Sequence, residues 1–119
     1  MAFGEVLRSM RIQAKRSLGE LARHLDLSVV YLSDIERGRR GALGHTKVVE
    51  ASKFLGVSPE PLLLAAAEDR GTFDLDVRDY SPIALELLSG LAKGRQSDEV
   101  YQKMLNILNE DEVTHDPDK

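Results

Sequence analysis

The chain of 119 residues contains no cysteine and no tryptophan. Without cysteine there are no disulfides, no thiol switch and no thiolate ligands for a metal. The three histidines, His24, His45 and His115, show no metal-ligand spacing, so neither a metal nor a cofactor is expected. Aromatic residues make up only 5% of the chain. Long apolar runs are missing too: the longest, Leu62 to Ala67, is far below the roughly 20 residues that a membrane-spanning helix needs. The opening MAFGEVLR lacks the apolar core of a signal peptide, which sets the expectation of a cytoplasmic protein with no membrane role. There is no Gly-rich phosphate loop, nucleophile motif or paired-carboxylate arrangement. Asp74, Asp76 and Asp79 read as a solvated face, and no enzymatic role is expected.

Charge is unevenly placed. Up to Leu64 there are ten Lys and Arg against seven Asp and Glu, a surplus of three; the remainder has six against thirteen, a deficit of seven, which together give the net charge of −4. Phosphate contact depends on local charge rather than on the sum, so a basic N-terminal half beside an acidic C-terminal half suits a nucleic-acid reader.

The densest pattern is SLGELARHLDLSVVYLSDIERGRR, residues 17 to 40. Ser17 and Glu20 stand at capping-box spacing and open a helix whose Leu18, Leu21, Ala22 and Leu25 form one apolar stripe. Asp26-Leu27-Ser28 breaks the period, with Leu27 as the apolar plug of a turn and Ser28 as the cap of a second helix that Gly38 stops. In that second helix Leu32 and Ile35 face inward. Val29, Val30, Ser33, Asp34 and Arg37 then face outward, as a candidate reading surface.

GELARHLDLS, followed by YLSDIERGRR and then LGVSPEPLL, resembles the helix-turn-helix of the Cro and lambdoid-repressor type, the XRE family. The likeness covers about Phe3 to Leu64, roughly half the chain. It implies a mainly α fold with a five-helix, lambda-repressor-like DNA-binding domain. The sequence supplies each piece. The first helix is expected over about Phe3 to Ala14 with Phe3, Val6, Leu7 and Met10 inward, and the fourth over about Thr46 to Leu55 with Val48, Val49, Ser52 and Leu55 buried. The fifth is announced by Ser58 as cap and Pro59 at its first position, with Leu62, Leu63 and Ala66 as its packing face. The resemblance also implies a structural ion pair, Arg11 with Glu36.

Major-groove geometry assigns the contacts. Val29, Val30 and Ser33 would face base edges, the valines packing on thymine methyl groups, while Ser17 and Ser28 would meet phosphates at two helix N-termini. Asp34 would accept from a cytosine amine or pair with Arg37. Arg37, Arg39 and Arg40 are the positioning charges, Arg37 also reaching a guanine. Lys15-Arg16 departs from the family's usual glycine plus apolar residue, and either adds phosphate contacts or is simply solvated. Tyr31 either fills the gap between two helices or sends its hydroxyl to a phosphate. The glycine-rich loop RRGALGHT reads as mobile, with His45 capping the fourth helix or touching the DNA backbone.

Beyond Arg70 the pattern changes. Phe73, Leu75 and Val77 alternate with Thr72, Asp74, Asp76 and Arg78, and period two predicts an extended, strand-like arm or linker over 71–80. Two further helices follow over 81–109. Ser81 and Pro82 open the first, which carries Ile83, Leu87, Leu88 and Leu91 and stops at Gly94; Ser97 caps the second, with Val100, Tyr101, Met104, Leu105 and Leu108 as its stripe. Two such helices have too little area for a core of their own. Phe73, Leu75, Val77, Leu87, Leu88, Leu91, Tyr101, Met104, Leu105 and Leu108 are therefore the candidate dimerisation residues. Residues 110–119 read as an acidic flexible tail.

These features lead to the expectation of a bacterial or phage-encoded, sequence-specific regulator of transcription that binds double-stranded DNA. It would act as a homodimeric repressor on a palindromic operator, two recognition helices standing about 34 Å apart. A different reading is an antitoxin-like or adaptor module whose C-terminal hairpin binds another protein. A third makes the 71–80 linker the target of a separate protease that releases the dimer.

Overall fold

The computed structural model describes residues 2–114. Among the described residues there are seven α-helices and no strand. They are α1 (Phe3–Gln13), α2 (Leu18–His24), α3 (Val29–Glu36), α4 (His45–Leu55), α5 (Glu60–Arg70), α6 (Pro82–Lys93) and α7 (Asp98–Thr114). The chain divides after Leu75 into two compact units. None of the helices is long and apolar enough to cross a membrane.

Helices α1 to α5 close around one core. Phe3 and Leu7 from α1, Leu21, Ala22 and Leu25 from α2 and its end, Leu32 and Ile35 from α3, Val48, Ala51 and Leu55 from α4, and Leu62, Ala65 and Ala66 from α5 are buried. The apolar stripes read from the sequence supply most of this list; Ala51 and Ala65 extend it. Val6, Met10, Val49 and Leu63, expected inward, are only half-buried, and of these Val6, Met10 and Leu63 pack against the core.

Short polar devices set the helix ends. Ser17 Oγ accepts from the Glu20 N–H while Glu20 Oε1 accepts from the Ser17 N–H, each at 3.0 Å, so the capping box of α2 is complete. Ser28 Oγ accepts from the Tyr31 N–H at 3.0 Å and opens α3. The turn before α2 carries Lys15 at φ +58°, and the turn before α3 carries Asp26 at φ +58°. Both are left-handed positions, which explains why the related turn usually holds glycine before α2. At the start of α5 no side chain caps the helix, and Pro59 is already in helical conformation. The N-cap expected at Ser58 therefore lies one position late in the structure, at Pro59.

The loop between α3 and α4 is anchored at its second half. Leu43 is buried in the core, and the Arg70 guanidinium donates to the carbonyls of Ala42 and Leu43. Arg70 Nη1 also meets Asp74 Oδ2 at 3.2 Å. The sequence reading missed Leu43 because an apolar pair, Ala42-Leu43, between glycines is too short to show a period.

The chain beyond Arg70 corrects two expectations. Residues 71–80 form no strand: the segment turns through a 3-10 turn at Val77–Asp79, where Asp76 Oδ1 accepts from the Arg78 N–H at 2.9 Å and the Asp76 carboxylate also pairs with the Arg78 guanidinium at 2.7 Å. A side chain bonding its own backbone competes with an extended ladder, and here it wins. Helix α7 also runs past Asn109 to Thr114, replacing the first part of the expected flexible tail. Glutamate is a strong helix former, and Glu110 favours continuing the helix beyond Asn109. Residues 115–119 of that tail lie outside the described residues. Ser81 Oγ accepts from the Ala84 N–H at 3.3 Å and Ser97 Oγ from the Val100 N–H at 3.3 Å, as the caps of α6 and α7.

Candidate nucleic-acid interface

Helix α3 presents one face to solvent and one to the core, because Leu32 and Ile35 sit three apart on the inward side. On the outer side Val29 and Val30 are 49% and 72% exposed. Two adjacent apolar side chains thus stand in water at the start of this short helix. Ser33 and Asp34 are half-buried along the same helix, and Arg37 is exposed at its end.

The end of α3 is locked from behind. Arg11 Nε donates to Glu36 Oε2 at 2.8 Å and Arg11 Nη2 to Glu36 Oε1 at 3.0 Å, a two-pronged pair, while Arg11 Nη1 donates to the Arg16 carbonyl at 3.0 Å. Glu36 is buried, and its hydrogen bond raises the Arg11 guanidinium above the ordinary arginine value. One arginine therefore ties α1, the turn before α2 and the last residue of α3 together. The same region holds a backbone contact the sequence did not betray: a Cβ on Gly4 would lie 2.2 Å from the Ile35 carbonyl oxygen. Helices α1 and α3 touch main chain to main chain, so the pitch of α3 against the domain is set by glycine.

Arg39 and Arg40 do not hang free. Arg39 Nη1 lies 4.0 Å from Asp34 Oδ1, Arg40 Nε lies 3.8 Å from Asp34 Oδ2, and the Arg40 guanidinium stands 4.5 Å over the Tyr31 ring. Asp34 thus pairs with the two loop arginines rather than with Arg37, one of the two partners the sequence offered it beside a cytosine amine, because the main chain reverses at Gly38 (φ +78°) and the Arg39 N–H donates to the Asp34 carbonyl at 2.8 Å. Tyr31 is exposed and carries Arg40, in place of filling the gap between α2 and α3.

At the other serine-capped helix, Ser17 and Ser28 both use the hydroxyl oxygen as an acceptor inside the cap, which leaves each hydroxyl proton to be donated outward. Lys15 and Arg16 are both exposed, as the solvated reading has it, but Arg16 also has partners: its guanidinium pairs with Glu20 at 3.1 Å and lies 4.7 Å from the Phe54 ring centroid, and the His24 ring stacks on Phe54 at 4.4 Å. That cluster joins α4 to α2 and was not anticipated; the only sequence signal for it was an aromatic just off the buried stripe of α4. His45 provides no cap, since the N-terminus of α4 at Gly44 has no side-chain bond. Its Nδ1 is buried without a partner.

The sequence profile of a helix-turn-helix domain family matches residues 2–65. The chain belongs to this helix-turn-helix family. It is a DNA-binding transcription regulator of the Cro and lambdoid-repressor type. Control protein C.BamHI of Bacillus amyloliquefaciens is 39% identical over 64 residues, which span 53% of this chain and 78% of that protein. A crystal structure of SinR, the master regulator for biofilm formation, in complex with DNA shares 31% identity over 51% of this chain and 97% of that one, with a TM-score of 0.47. ClgR, the clp gene regulator of Corynebacterium glutamicum, shares 29% identity over 75% of this chain and 84% of its own, with a TM-score of 0.48. The family match ends at residue 65, so α6 and α7 lie beyond the helix-turn-helix domain.

Proposed function

We propose that this helix-turn-helix protein is a dimeric repressor that binds a palindromic operator through the major groove. The observation that carries the DNA-reading part is the pair Val29 and Val30, exposed at the N-terminus of a helix whose far end is locked by Arg11 and Glu36. A helix enters the groove N-terminus first, so Val29, Val30 and Ser33 face base edges, and the valines favour thymine at those steps. Arg37, Arg39 and Arg40 take phosphates, with Ser17 and Ser28 donating at the starts of α2 and α3.

Dimerisation falls to the second unit. No described side chain beyond Ala66 is buried, and Leu87, Leu105 and Leu108 are more than half exposed. Leu91 is exposed, and Leu88, Tyr101 and Met104 are half-buried beside them. Phe73, Leu75 and Val77 are exposed as well, and join the interface as side chains without a β-ladder. A groove of about 690 Å³ between α6 and α7, walled by Leu87, Leu91, Val100 and Met104, offers the same face to a helix of another protein, which keeps the adaptor reading in view.

Selection of bound duplexes from a random pool at near-physiological salt, with the full chain beside a truncation after Leu75, tests the proposal. Enrichment of an inverted repeat by the full chain and of half-sites or weak sites by the truncation is the expected result. If neither enriches a sequence, the specific DNA-reading function fails; if both enrich the same single half-site, the dimer fails.

A further inference from the structure

We propose that Tyr31 and Asp34 are positioning residues for Arg40, holding its guanidinium at the flank of α3 ready to grip a DNA phosphate. The inference rests on the DNA-reading function above and assigns to these two side chains a task other than base reading.

Tyr31 and Asp34 stand three apart on α3 and so share one face of the helix. Arg40 returns to that face after the reversal at Gly38 and meets both: the ring 4.5 Å below its guanidinium carbon, the carboxylate 3.8 Å from Nε. Contact through Nε and through the flat face leaves the two Nη groups as the outward fork, the part of arginine that takes two phosphate oxygens at once. The backbone under Arg40 is fixed on both sides, by the Arg39 N–H on the Asp34 carbonyl and by Arg70 on the carbonyls of Ala42 and Leu43. What remains to be ordered on binding is the arginine side chain, and ring plus carboxylate order it in advance.

The arrangement also accounts for a carboxylate on a DNA-reading helix. Asp34 lies within 4.0 Å of two guanidiniums, so the cluster of one acid and two bases is positive as a whole. Its ion pairs are too exposed to matter much for stability, the Arg39 and Arg40 side chains being more than half accessible. A surface cluster that adds little to folding yet fixes the direction of a cation fits a preorganised binding group.

The test uses the full chain and a duplex that it enriches from a random pool, with affinity measured over a salt series. Replacing Arg40 with Ala is expected to reduce the slope of log affinity against log salt by about one. Tyr31→Leu is expected to weaken binding about threefold, the scale of one exposed cation–π contact, while Tyr31→Phe, which keeps the ring, binds like the unaltered protein. In the Arg40→Ala background Tyr31→Leu should change nothing further. Asp34→Asn should leave the enriched sequence the same. Independent effects of Tyr31→Leu and Arg40→Ala, a Tyr31→Phe as weak as Tyr31→Leu, or a changed preference at one base step in Asp34→Asn would each overturn the inference while the unaltered chain still binds. Enrichment of no duplex by the unaltered chain would overturn the DNA-reading function on which it stands.

Discussion

Two glycines separate what a sequence displays from what it hides. Gly19 stands out in the sequence because it interrupts a helix, yet nothing but Ser17 Oγ, at 3.9 Å, lies near the place of its missing Cβ. Gly4 looks ordinary in the first turn of α1, yet a methyl group there would drive into the Ile35 and Glu36 carbonyls at 2.2 and 2.7 Å. Gly19→Ala is expected to raise stability by about 0.5–1 kcal/mol, and Gly4→Ala to lower it by about 3 kcal/mol as overpacking of a rigid contact. Urea unfolding midpoints of the two variants measure both. Close approach of two backbones more than thirty residues apart leaves no local signature, which is why Gly4 was not legible in the sequence. The Arg11–Glu36 pair was placed through the resemblance rather than through any spacing rule; its two-pronged geometry, and the third bond to the Arg16 carbonyl, came from the structure.

Helices with side-chain caps were the most legible elements. The capping box of α2 and the serine caps of α3, α6 and α7 are local chemistry within three residues, and they sit where the sequence put them. The box also makes α2 sensitive to acid. The Ser17 backbone N–H, then the Arg16 guanidinium, hold the Glu20 carboxyl below the ordinary glutamate value. A carboxyl depressed in the folded state contributes stability above its unfolded value, and loses that contribution as pH falls through the folded one. Glu20→Gln is therefore expected to flatten the decline of stability on the acid side of the glutamate range, seen by following urea midpoints across that range. The segment after Arg70 shows the opposite case. Its alternation of Phe73, Leu75 and Val77 with polar residues fits a strand, but a strand needs a neighbour, and Asp76 instead closes a local turn on Arg78.

At the scale of the molecule, apolar burial among the described residues stops at Ala66 although apolar residues do not. The first unit has its own core; α6 and α7 have exposed stripes, with Ile83 73% accessible. If those stripes meet a second copy, a charge placed among them will separate the copies without touching the first unit's core. Leu87→Asp is expected to convert a dimer to a monomer in sedimentation equilibrium, with the unfolding of residues 2–75 unchanged. The uneven charge fits the same division of labour. A surplus of acidic residues in the second unit disfavours its contact with DNA phosphates, while the first unit carries the basic surplus. One side chain near the boundary then acquires a meaning of its own. Arg70 grips the carbonyls of Ala42 and Leu43 with one hand and Asp74 with the other. One guanidinium thus fastens the loop that carries Arg39 and Arg40 to the end of α5 and to the first residues beyond it, so that loop and chain exit share a single anchor within the first unit.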